Sequence, residues 1–204
     1  MQCFIGWVAA VSFALLSISS TSAGPIHYSA FLDGPSESPP NSSPGIGYAT
    51  FVFDPDAHIL TLNATFEGLI GTTTAAHIHG PTPLPGTGTA GVATMVPTFL
   101  NFPLGVTVGT YSATFDTSQI STYNPAFVAA NGGTPATAEA ALGAMLASGR
   151  AYLNIHSTTF PGGEIRGFIQ PVPEPSSLAI WSMGMVGACG YVRARTRRRA
   201  VSVA

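Results

Sequence analysis

The chain has 204 residues, no lysine and only 8% charged residues, with 23 glycines and 17 prolines that favour turns and short strands over long helices. Its formal charge is −2, but five of its seven arginines fall within residues 193–199, so residues 24–171 hold eight acidic residues against Arg150 and Arg166 alone. That balance argues against nucleic acid as a partner, because such binding rests on basic patches, and without lysine the chain cannot build a Walker-type phosphate loop.

Residues 4–16 are largely apolar, and the stretch that follows turns polar and ends at Thr21-Ser22-Ala23. Small residues at 21 and 23 predict a signal peptide over 1–23, cleaved after Ala23. No Lys or Arg precedes the apolar run, which leaves an uncleaved anchor as the alternative; the run is short for a span of about 20 residues. Cys3 lies in this segment and Cys189 near the other end. The region between therefore has no disulfide and no thiolate ligand, and its stability rests on core burial.

From residue 26 to 170 the period is two, the pattern of strands with one buried face. Strands are predicted at 26–32, 74–79, 92–99, 107–115, 150–156 and 164–170. Gly47, Ala49, Phe51 and Phe53 form one alternating set and Leu60, Leu62, Ala64 and Phe66 another, joined by the turn Asp54-Pro55-Asp56-Ala57. Residues 34–45 and 80–91 are turn-rich. Residues 136–148 are alanine-rich, with Glu139, Leu142, Met145 and Leu146 at helical spacing, and predict one short helix covering a sheet edge. The fold class is all-β, an antiparallel sandwich or Greek-key barrel of the superoxide-dismutase-like or Ig-like kind.

The C-terminal stretch 172–204 opens with Pro173-Glu174-Pro175, continues in an apolar run at 178–192, and ends in arginines. Read alone, it is a tail anchor with its arginines on the cytoplasmic side and the main domain across the membrane. In this order the three parts also resemble the PEP-CTERM sorting signal of bacterial exported proteins. That resemblance implies an exosortase-type membrane protease as partner, transient anchoring through 178–192, and delivery to the cell surface or extracellular matrix.

Two segments carry the remaining chemistry: His77-Ile78-His79-Gly80-Pro81, and Tyr152-Leu153-Asn154-Ile155-His156 followed by Pro161-Gly162-Gly163-Glu164-Ile165-Arg166-Gly167. With Tyr28-Ser29-Ala30 and Gly47-Tyr48-Ala49 they resemble the CHRD family, named after the repeats in chordin, over about 28–170. The resemblance implies an extracellular β-rich module and carries no activity over to a bacterial chain.

In a strand His77 and His79 share a face, as do Tyr152, Asn154 and His156. If the two strands are neighbours, three imidazoles converge into a set suited to copper or zinc. The H-x-H pair plus a later histidine looks like the copper half of Cu/Zn superoxide dismutases. The chain has five histidines and no second histidine-rich loop, so a dinuclear enzyme is not expected. The alternative is that these rings are packing groups hydrogen-bonded to the backbone. Glu164 and Arg166 also share a face; they read as an ion pair bracing the last hairpin rather than as a catalytic carboxylate oriented by arginine, because no second carboxylate stands near. No G-x-S-x-G nucleophile motif occurs.

Two functions remain open. One is a non-enzymatic module of the cell surface or matrix, of structural or interaction type, with an extracellular protein or polysaccharide as partner. The other is a mononuclear copper or zinc protein using His77, His79 and His156, redox-active if it holds copper.

Overall fold

Alternation of apolar and polar side chains organises the whole molecule. The computed structural model describes residues 24–173; the expected signal peptide, Glu174, Pro175 and the apolar and arginine-rich parts of the tail lie outside them. Eight strands form one antiparallel sheet: β1 (Ile26–Asp33), β2 (Ile46–Asp54), β3 (Ile59–Glu67), β4 (Thr73–His79), β5 (Gly109–Asp116), β6 (Tyr152–Ser157), β7 (Ile165–Phe168) and β8 (Gln170–Pro171). Their order is β4-β6-β7-β1-β2-β3-β5, with β8 beside β1. The sheet curls into an incomplete barrel, in agreement with the all-β class expected.

Its interior is filled by every second residue. Tyr28, Ala30 and Leu32 of β1, Ala49, Phe51 and Phe53 of β2, and Leu60, Leu62 and Phe66 of β3 are all buried in one core. Ile78 of β4, Leu153 and Ile155 of β6, and Ile165 of β7 complete it from the other half. The β2–β3 register sets Asp54 opposite Ile59. Asp54 closes that hairpin by accepting bonds from the amides of Asp56 (3.1 Å) and Ala57 (2.9 Å). Close packing of β7 on β1 needs Gly167, since a Cβ there would stand 2.1 Å from the Phe31 carbonyl oxygen.

The expected strand at 92–99 does not form. This segment runs along the outer edge of β4, but it makes only isolated bridges, His79 with Val92 and Thr94 with Tyr123. Threonine hydroxyls replace much of the ladder: Thr94 Oγ1 accepts from Ile78 N (3.0 Å) and Thr98 Oγ1 from Ala76 N (3.0 Å). Pro97, without an N–H, could not have continued one. The segment nevertheless covers an edge that would otherwise be open. Farther along the chain Thr73 N, at the start of β4, donates to Val106 O (2.8 Å) and Gly105 N to Thr73 O (2.9 Å), tying β4 to the stretch that leads into β5.

A 3-10 turn (Ile120–Thr122) and two α-helices link β5 to β6: α1 (Pro125–Ala130), not anticipated from the sequence, and α2 (Pro135–Ala147), which matches the expected one. Thr134 caps α2 in a reciprocal box with Thr137. Helix α2 inserts Ala138, Leu142, Met145 and Leu146 into the core. It comes so close to Phe53 that a Cβ on Gly143 would stand 2.9 Å from that ring. Among the described residues no helix is long and apolar enough to cross a membrane.

Candidate metal centre

Strands β4 and β6 pair so that His77 lies opposite Asn154, His79 opposite Tyr152 and Ala75 opposite His156. Because Ala76, Ile78, Leu153 and Ile155 point into the core, the alternate residues project from the outer face. His77, His79 and His156 meet there, with ring centroids 5.3 to 5.8 Å apart. One nitrogen from each ring lies within 4.8 Å of the others.

Loops from elsewhere in the chain close over this face and fix each ring. His77 Nε2 faces the Pro97 carbonyl at 2.7 Å, His79 Nδ1 that of Ala90 at 3.0 Å, and His156 Nδ1 that of Pro161 at 2.9 Å. A carbonyl oxygen can only accept, so each of these ring nitrogens carries the hydrogen and donates. The opposite nitrogens, His77 Nδ1, His79 Nε2 and His156 Nε2, are then bare lone pairs, and all three are buried without a hydrogen-bond partner. Unpaired buried acceptors of this kind are rare, and here three stand on neighbouring rings.

Electrostatics keep the rings neutral. Burial pushes the His79 pKa down to about 4, against the opposing pull of the Ala90 carbonyl; His156, His77 and Arg166 push the same way as burial. Burial also lowers His77, helped by His156 and opposed by the Pro97 carbonyl. His156 is lowered by burial too, against the Pro161 carbonyl. Neutral imidazole is the metal-binding form.

The donor set is three nitrogens with no carboxylate among them. This suits copper or zinc and does not suit the oxygen-seeking calcium or magnesium. Rings sharing one ion at about 2.0–2.1 Å would hold their nitrogens about 3–4 Å apart, so binding would draw them in by roughly an ångström.

Around the cluster the sheet carries a stacked row. Tyr152 lies flat on His79 (centroids 4.9 Å apart, planes 9° apart), and the Arg166 guanidinium sits 4.9 Å over the Tyr152 ring. Arg166 donates to the carbonyls of Ser36 and Gly88 (3.1 Å for the latter) and lies 3.9 Å from Glu37 Oε2. The ion pair expected between Glu164 and Arg166 is therefore not formed. Glu164 instead accepts from Ser43 Oγ (2.6 Å), Ile70 N (2.5 Å) and Gly71 N (3.1 Å). Burial alone would raise its pKa, but hydrogen bonds from Ser157, Ser43, Ile70 and Gly71 outweigh it and hold the carboxyl below its ordinary value. Glu164 thus staples the loop before β7 to the β1–β2 and β3–β4 connections.

Glu37, the one acid in the proline-rich loop 34–45, was not singled out by its sequence context. Burial raises its pKa to about 7, against the pull of Arg166 and the Ser38 amide. Its Oε1 and the Oδ1 of Asn154 are both buried and unpaired. Both crowd Gly163, where a Cβ would lie 2.5 Å from the Asn154 amide and 2.6 Å from Glu37 Oε1.

Fold and site together define a class: an all-antiparallel β module whose loop-covered outer face gathers three neutral histidines. The chain belongs to the CHRD family, whose domain model matches residues 28–169. No curated protein and no solved structure shows significant similarity to it.

Proposed function

We propose that this chain is an exported β module that binds a single copper or zinc ion between β4 and β6 through His77 Nδ1, His79 Nε2 and His156 Nε2. The observation that carries this reading is the set of three buried, unpartnered ring nitrogens on three rings whose other nitrogens are fixed by backbone carbonyls. Packing histidines need one such bond each; they do not need their remaining lone pairs turned to a common place. A three-nitrogen site leaves a coordination position free for a small ligand, and with copper it would be redox-active.

The test is elemental analysis of the full chain, produced without a histidine tag, reconstituted separately with copper and zinc and then desalted. The expected result is about one equivalent of metal, falling several-fold in His77→Ala or His156→Ala. Wild-type loading below about a tenth of an equivalent with both metals would leave the other reading, a module of structural or interaction type with no ion. The CHRD family is of extracellular type, which fits export. Sorting by an exosortase-type protease rests on the order of Pro173-Glu174-Pro175, the apolar run 178–192 and the arginines that follow.

A further inference from the structure

The far side of the half-barrel presents a second surface, independent of the histidines. Outward residues of β1, β2, β3 and β5 align in rows across four strands. One row runs Phe31, Tyr48, Thr65, Thr110, and the next runs Ser29, Thr50, Asn63, Ser112. Phe31 is 57% exposed and Tyr48 52%, and Val108 beside them is 61% exposed, large values for such side chains on a sheet face. Two open grooves follow the rows. One of about 520 Å³ is lined by Phe31, Tyr48, Thr65, Val108 and Thr110. The other, of about 380 Å³, shares Tyr48, Thr65 and Thr110 and extends over Thr50, Asn63 and Ser112.

The chemistry of this face is mixed in a specific way. Aromatic rings stand beside a ladder of hydroxyls and an amide, which offer donors and acceptors every 4.8 Å or so across the strands. Ser112 Oγ already donates to Asn63 Oδ1 at 2.7 Å, so the ladder is partly ordered. Glu67 is the one formally charged residue lining either groove. Neither arginine of the described residues reaches them: Arg150 donates to the Thr82 carbonyl, and Arg166 is held over Tyr152. A polyanion has no cation to bind here. A protein partner matches only the aromatic half of the surface: the centres of protein interfaces favour tyrosine and phenylalanine but are depleted in serine, and serine and threonine are under-represented among their hot spots. A ligand with apolar C–H faces and hydroxyl edges matches both halves of the surface.

We propose that this face binds a neutral polysaccharide, with sugar rings against Tyr48 and Phe31 and sugar hydroxyls on Thr50, Asn63, Thr65, Thr110 and Ser112. The experiment incubates the full chain with cellulose, mixed-linkage β-glucan, starch and galactomannan, with alginate as the anionic comparison. Retention is expected on at least one neutral polymer and is expected to be insensitive to salt, since no charge pair is involved. The Phe31→Ala, Tyr48→Ala double variant should lower that retention by about tenfold or more, as loss of central aromatic contacts does at other interfaces. Thr110→Lys, which fills the groove without removing an aromatic ring, should lower it as well. His77→Ala should leave it unchanged, which separates this surface from the metal site. Retention by none of the neutral polymers, retention on alginate alone, or unchanged retention by both surface variants would overturn the proposal. So would self-association in sedimentation that disappears in the double variant, since the face would then join two copies of the chain.

Discussion

Burial outweighs every neighbouring charge in setting the protonation of the three histidines, and this makes the stability of the metal-free fold depend on pH. In the unfolded chain histidine takes up its proton near pH 6.5, whereas His79 in the fold stays neutral until about pH 4. Its contribution is present above 6.5 and is lost as the pH falls through that window, on the order of 3 kcal/mol for this ring alone. His77 and His156 act in the same sense. Glu37 opposes them: its folded pKa is raised from 4.5 to about 7, so its contribution is present below 4.5 and is lost as the pH rises. Between pH 7.5 and 5.5, in the presence of chelator, the histidines lower the urea midpoint and Glu37 raises it. Relative to the parent, Glu37→Gln should therefore shift the midpoint at 5.5 downward against that at 7.5, and His79→Gln should shift it upward. Shifts of the opposite sign in these two variants would contradict the assignment. The histidine cluster was legible because strand period places His77 with His79 and Asn154 with His156. Glu37 was not, because it arrives from a loop 129 residues away in sequence from its partner Arg166. The Glu164–Arg166 pairing was misread because Glu164 precedes β7, so alternation along that strand does not govern where its carboxylate turns.

At the scale of elements, helix α2 is held to the sheet by its apolar face and by one buried carboxylate. Glu139 faces His58 Nδ1 at 2.8 Å at the start of β3 and accepts from Thr117 Oγ1 just beyond β5. Glu139→Ala deletes both ties and leaves the buried Thr117 hydroxyl without its acceptor. The expected cost is about 1–3 kcal/mol in equilibrium unfolding. Thr134→Ala, which removes the capping box, should cost about 1 kcal/mol. If Glu139→Ala unfolds within about 0.5 kcal/mol of the parent, the helix is held by apolar contacts alone. The expected strands that formed are those whose own side chains alternate, and so is the boundary of α2, where Pro135 follows a capping threonine. The segment 92–99 alternates too, but its partners are satisfied by threonine hydroxyls, a substitution that periodicity does not register. Helix α1 is six residues long, too short to show a period. Its signal was local, an asparagine whose side chain accepts from Ala126 N, followed at once by proline.

At the scale of the molecule, the folded domain and the proposed sorting motif meet at one residue. Strand β8 pairs with β1 through Pro171 opposite Tyr28 and Gln170 opposite Ser29. Val172 N then donates to His27 O at 2.8 Å, the last backbone tie among the described residues. Pro173 follows, exposed and without an N–H to give. Among the described residues, the domain's hydrogen bonding therefore reaches as far as the start of Pro173-Glu174-Pro175. Replacing Pro173 and Glu174 by alanine should accordingly separate sorting from folding. The variant is expected to melt at the wild-type temperature yet remain in the membrane fraction, while the parent is released from it. Release of the variant at the parental rate would show that these residues are not the signal. A lowered melting temperature would show instead that the motif belongs to the domain.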